Sequence, residues 1–206
     1  MGLLTEINIF TIFWLVILPI PSGYLLKIIK ASFNGFDELP DYNDWKLIYL
    51  DGVKLIAVVL IYALPVILFL LLNNAQILPI DLSNFSILNL WTFFMGPQLL
   101  IFIAIGFLEY MAIANMALYE GEIIAAFSFR EIFKRISMIG WKEYLTYYII
   151  IWILALITGL ISFLAVLILI GIVITPLVIV PYFMILNSRF LALIFASSAD
   201  VELKKG

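Results

Sequence analysis

Five stretches of this chain are too apolar for water and close to the length that crosses a bilayer, and their repetition leaves few folds open. A hydrocarbon layer of roughly 30 Å takes about 20 residues of helix, and a helix satisfies its own backbone where lipid offers no partner. The stretches lie at about 7–26, 52–72, 90–110, 144–169 and 175–195. The last two form one apolar tract, too long for a single crossing, with its break at Gly171 shortly before Pro176. Hydrophobic residues make up 66% of the chain and charged residues 12%. A globular domain carries roughly 25% charge, and no soluble core of this length hides so much apolar surface. The expected fold is all-α and integral to the membrane: a single multi-pass domain over 1–206, a bundle of about five transmembrane helices.

The basic residues predict the orientation. All eleven fall in three segments: Lys27, Lys30, Lys46 and Lys54; Arg130, Lys134, Arg135 and Lys142; Arg189, Lys204 and Lys205. The N-terminus, residues 73–89 and the turn near Gly171 hold none. Strict alternation across five crossings is the positive-inside pattern, with the N-terminus outside, the C-terminus cytoplasmic and the cell membrane as location. The first apolar run has no basic flank or small-residue cleavage site before it, so it is expected to be retained.

Two polar linkers, about 27–51 and 120–143, are then expected as helical segments in the cytoplasmic interface. In the second, Ser128-Phe129-Arg130-Glu131 has the form of a capping box, with Phe127 and Ile132 as its hydrophobic staple. Phe129, Ile132, Phe133, Ile136 and Ile139 recur at helical spacing, Arg130, Lys134 and Ser137 lie off that stripe, and Gly140 terminates it. In the first, Asn34-Gly35 suits a left-handed helix end, and Asp41 or Asp44 caps a short helix with Trp45, Ile48, Tyr49 and Gly52 on one face.

Asp37, Glu38, Asp41, Asp44 and Trp45, with Arg130, Lys134 and Arg135, are the candidate cytoplasmic contact surface for a partner or a headgroup. The carboxylates lack the alternating ligands and glycine of a calcium loop, and lysines nearby make ion pairing and capping the simpler reading. A weak repeat links the inward-running helices. Tyr24 precedes Gly35 by eleven residues as Tyr110 precedes Gly121, and Tyr110 precedes Asn115 by five as Tyr182 precedes Asn187.

Within the spans, Glu109 and Arg189 stand near the inner edge of their helices. A charge in lipid is costly and seeks protein, water or an opposite charge, so an intramembrane ion pair between them is expected. Ala155, Gly159 and Ser162 form a small-residue stripe for helix packing. Pro19, Pro21, Pro65, Pro97, Pro176 and Pro181 place a proline in every crossing but the fourth, as kinks.

Several chemistries find no residues here. There is no cysteine and no histidine, which removes thiolate chemistry and the commonest general base and metal ligand. No Gly-x-Ser-x-Gly elbow or phosphate-binding glycine loop occurs. No catalytic residue, metal or cofactor is expected, and no nucleic-acid partner, since the basic residues lie mostly at the bilayer surface. The expected partners are the lipid bilayer, other membrane proteins or further copies of the chain. The expected role is a non-enzymatic envelope component, a scaffold or accessory subunit. The alternative is a small transporter or channel built on the proline-kinked helices.

The run Gly23-Tyr24, Lys27, Asn34-Gly35, Asp37-Glu38-Leu39-Pro40, Asp44-Trp45, Asp51-Gly52 and Lys54, followed by Tyr62 and Pro65, resembles an integral membrane family. That family is catalogued as domain of unknown function 4013 and is common in methanogenic archaea. It is distantly similar to the membrane domain that accompanies some glycerophosphodiester phosphodiesterases. The resemblance implies a multi-pass protein of an archaeal cell membrane and supplies no catalytic residue.

Overall fold

The computed structural model describes residues 17–34, 38–72, 97–169 and 171–205, and all regular structure among them is helical. The elements are α1 (Pro19–Phe33), α2 (Trp45–Leu72), α3 (Pro97–Leu118), a 3₁₀ turn (Ile123–Phe127) and α4 (Phe129–Ile139). After them come α5 (Trp141–Leu167), α6 (Gly171–Ile174), a π-helical turn (Thr175–Ile179) and α7 (Val180–Lys205). Four segments among the described residues are long and apolar enough to cross a membrane: Trp45–Phe69, Leu99–Leu118, Trp141–Leu167 and Gly171–Ser198. The first half of the crossing expected at 7–26 falls outside the described residues.

Several helices run further than hydropathy suggests. α1 continues to Phe33, which places Lys27 and Lys30 of the first linker on the same helix as Pro19–Leu26. Nothing in Leu26–Phe33 breaks a helix, and snorkelling lysines are good helix formers. The short capped helix expected before the second crossing is not separate. Trp45–Leu72 is one helix, because a single Gly52 does not interrupt it. α3 likewise passes Tyr110 through eight more residues, mostly alanine, methionine and leucine, to Leu118.

The closest helix crossing is made by two glycines. A Cβ on Gly23 would collide with the Ile48 carbonyl, and one on Gly52 with the Pro19 carbonyl. Absent side chains let the two backbones touch, so α1 lies directly against α2. The expected small-residue stripe does not act this way. A Cβ on Gly159 would meet nothing within 4 Å, so Ala155, Gly159 and Ser162 are no intramolecular seam at their centre.

The buried core gathers at the charged end of the bundle. Leu26 and Ile29 of α1, Val58 and Tyr62 of α2, Met111, Ala112, Ala114, Met116 and Ala117 of α3, Ile132 and Ile136 of α4 and Leu191, Ala192, Ile194 and Phe195 of α7 meet there. Because Trp141 stacks near Phe107 (ring centroids 6.4 Å apart), the last three turns of α3 project past the start of α5. The 3₁₀ turn and α4 fold around that projection, which explains why a polar linker contributes wholly buried isoleucines.

The other half is open. Only 6% of the most apolar window of α5 is buried, against 28% for α2 and α3. α5 turns back where Leu169 takes a left-handed conformation (φ 63°) and Gly171 abuts the backbone of Ala165 and Val166. Only a glycine tolerates that approach.

The prolines divide. Pro19 occupies the first position of the helix it opens, where no amide proton is needed. Pro65 lies inside α2, and Pro176 lies in the π turn that interrupts the last span.

Candidate functional site

Two polar layers can be built from the residues upward. The first joins the two linkers. The Lys30 Nζ donates to Asp51 Oδ2 at 2.8 Å, Lys54 approaches the other Asp51 oxygen at 3.5 Å, and Glu120 stands 3.9 Å from Lys30. The Asp51 side chain is 6% exposed and that of Lys30 15%, so the pair is desolvated, and each charge needs the other. Gly121, at φ 84°, closes the cluster: a Cβ there would lie 3.0 Å from Asp51 Oδ1 and 3.2 Å from Lys30 Nζ.

Next to this cluster the 3₁₀ turn is held by side chains reaching its carbonyls. The Tyr62 hydroxyl donates to Ala126 O at 2.7 Å, and the fully buried Asn115 amide donates to Ala125 O at 2.9 Å. The Tyr62 ring stacks on Phe127. Asn115 Oδ1 has no partner, a place where a buried water would be stabilised.

The second layer lies between α3, α5 and α7. Tyr144 donates to Phe107 O at 2.6 Å and Tyr148 to Ile103 O at 3.1 Å. Gly106 makes the second bond feasible, since a Cβ there would sit 2.7 Å from the Tyr148 hydroxyl. The Tyr110 hydroxyl donates to Asn187 Oδ1 at 2.8 Å, tying α3 to α7. Gly106, Tyr110, Tyr148 and Asn187 border an open cavity of about 270 Å³ lined also by Glu109, Trp152, Ala155 and Phe183. Two larger apolar grooves, about 480 and 360 Å³, run along the α5–α7 seam and share Leu154, Tyr182 and Leu186.

The sequence-predicted residues fall into this frame unevenly. Glu109 and Arg189 form no ion pair: Glu109 lines the α3–α5–α7 cavity, whereas Arg189 lines the 480 Å³ groove. Their helices are adjacent, but the two side chains leave different faces. The capping box is not made either. Ser128 holds the N-cap position, and its carbonyl accepts from Glu131 and Ile132. Its hydroxyl, however, donates back to Ile124 O at 3.3 Å. Glu131 instead accepts from the Tyr119 hydroxyl at 2.8 Å and approaches Arg135 at 3.7 Å. That carboxylate raises the Tyr119 pKa, because it stabilises the protonated phenol. The α4 stripe also splits: Ile132 and Ile136 are buried, while Phe129 and Phe133 are exposed.

Of the candidate contact surface, Glu38, Asp41, Asp44, Trp45, Arg130 and Lys134 are exposed. Asp37 lies outside the described residues. Arg135 is half-buried, with its guanidinium 5.1 Å from the Phe195 ring centroid. Asp44 begins α2 in a left-handed conformation (φ 63°), its carbonyl accepting from Leu47 and Ile48. Lys27 ties the linker down through Asp41 O (2.6 Å) and Asn43 O (3.2 Å), and Tyr24 through Pro40 O (2.9 Å). Sequence reasoning missed the Asp51 cluster as a centre and the Gly23–Gly52 crossing. The signal was available: two glycines and an aspartate flank the lysines of the first polar segment. Among the described residues no three carboxylates gather as an ion site.

Long apolar helices joined by short polar segments, with buried polar layers between them, define a multi-pass helical membrane protein. The chain belongs to the family described as Protein of unknown function (DUF4013), whose model matches residues 7–171. No curated protein and no solved structure matches it.

Proposed function

We propose that the chain is a non-enzymatic component of an archaeal cell membrane, a scaffold or accessory subunit that receives another membrane protein or lipid along α5 and α6. One observation carries this reading: α5 is the most apolar of the four candidate spans, yet only 6% of its most apolar window is buried. Leu156, Leu160, Phe163 and Leu164 are all exposed there. The gathering of Lys30 and Lys54 on Asp51, with Arg135 over Phe195 of α7, supports a cytoplasmic face, with the N-terminus outside, five crossings, and both linkers at the interface. The distant likeness to the membrane domain beside glycerophosphodiester phosphodiesterases fits a role next to a catalytic partner rather than catalysis itself.

The test is purification in a mild detergent with mass spectrometry of what accompanies the chain. Replacing Leu156, Leu160 and Leu164 by serine is expected to strip the accompanying species while thermal stability is kept. Undiminished co-purification would overturn the reading. A second reading, a small transporter or channel, is favoured by the π turn at Pro176, since π turns interrupt helices at sites that move or bind. The absence of cysteine makes single-cysteine accessibility mapping free of background. Labelling from both sides along α7 would establish that path.

A further inference from the structure

We propose that the cavity around Glu109 binds an organic ammonium group. The cavity, about 270 Å³, equals the volume of roughly nine waters, which is ample for a trimethylammonium or a protonated primary amine with its first carbons. Its walls are aromatic: Tyr110, Tyr148, Trp152 and Phe183 all border it. Three of these rings run in a row, with Tyr110 and Tyr148 centroids 6.3 Å apart and Tyr148 and Trp152 6.2 Å apart, each pair edge to face.

The hydroxyls along the wall are already used. Tyr110 donates to Asn187, and Tyr148 donates to Ile103 O. That leaves Glu109 as the one carboxylate on the wall, and among the described residues it makes no ion pair. A carboxylate facing aromatic surfaces suits a weakly hydrated cation that gains from ring faces as well as from charge. Magnesium and calcium want several oxygen ligands, and one carboxylate does not supply them. Arg189, the counter-charge expected from the sequence, lines a different groove and does not compete for the cavity.

The ammonium has two sources with the same chemistry, the headgroup of an aminophospholipid or a small free amine. The proposal does not rest on the scaffold reading. A chain that binds ammonium and captures no partner would leave it standing.

The experiment uses the full chain in a maltoside detergent, titrated with tetramethylammonium chloride against sodium chloride by calorimetry. Binding is expected, with Glu109→Gln weakening it about tenfold or more, and Trp152→Leu about three- to tenfold. Tyr148→Phe keeps the ring and is expected to bind within about threefold of the parent. In parallel, nanodiscs of phosphatidylethanolamine or phosphatidylglycerol are examined by native mass spectrometry. Retention of the amino lipid, lost in Glu109→Gln, assigns the headgroup. Tetramethylammonium binding without such retention assigns a free amine. No binding in either arm overturns the proposal, as does binding unchanged in folded Glu109→Gln. If Glu109→Gln fails to elute as a folded species, unchanged binding in Trp152→Leu overturns it in the same way.

Discussion

The candidate spans in the two halves of this molecule are all strongly apolar, yet they are packed in opposite ways. At the charged end, α1, α2, α3, α4 and α7 bury isoleucines, methionines and alanines almost completely around a desolvated Lys30–Asp51 pair. At the other end, α5 and α6 carry Leu156, Leu160, Phe163, Leu167 and Ile172, all exposed. Hydropathy does not distinguish them, because lipid is as good a solvent for leucine as protein is. Packing in a membrane is therefore decided by shape and polar contacts, not by the wish to leave water. The charged end has both, in the glycine crossing and in side chains that meet backbone carbonyls. On α5 such contacts stop at Tyr148, and among the described residues no hydrogen bond ties the stretch from Leu156 to Ile174 to another span.

That contrast can be broken or sharpened by substitution. The largest effect is expected at the crossing: Gly23→Leu or Gly52→Leu must separate two backbones and is expected to cost about 4 kcal/mol or more. Gly159→Leu meets open space and is expected to leave stability within about 0.5 kcal/mol. Thermal unfolding in one detergent compares all three, and equal losses would erase the distinction between the halves.

Next, Asp51→Ala leaves Lys30 desolvated with only the exposed Glu120 nearby, an expected loss of about 3 kcal/mol. Replacing the pair together, as Lys30→Met with Asp51→Leu, should recover most of it. A double variant as unstable as Asp51→Ala would show that the pair matters for something other than paired charge.

Smaller still, Tyr62→Phe leaves the buried Ala126 carbonyl without its donor and should cost about 1–2 kcal/mol, read by the same melts. The smallest effect belongs to Tyr119. Its pKa is raised in the folded chain, so its contribution to stability is present below the unfolded value near 10 and fades as pH climbs through the folded value. Tyr119→Phe is expected to change the melting temperature by less than Tyr62→Phe at neutral pH, and to flatten the decline above pH 10.

Much of the layout was legible because it depends on local pattern. The apolar runs, the Gly171 break and the glycine after α4 follow from breakers and run lengths that any reader can mark. The candidate sites were harder. Glu109 and Arg189 were matched by charge alone, and one-dimensional spacing does not say which face of a helix a side chain leaves. The capping box failed for a related reason: Glu131 had a better acceptor role from Tyr119, a residue outside the motif window. The weak tyrosine–asparagine spacing did not foretell the contact either: Tyr110 bonds Asn187, which the spacing had paired with Tyr182.

By itself the sequence determined that this chain lives in lipid, that its backbone is helical there, and where its polar segments interrupt it. Those are consequences of solvent and of backbone hydrogen bonding, which act on each segment separately. Only the tertiary structure decided which glycines let helices touch, that Asp51 rather than the exposed acidic run anchors the linkers, and that Glu109 opens onto an aromatic cavity. Such facts depend on the directions in which side chains from distant segments point, and no single segment holds that information.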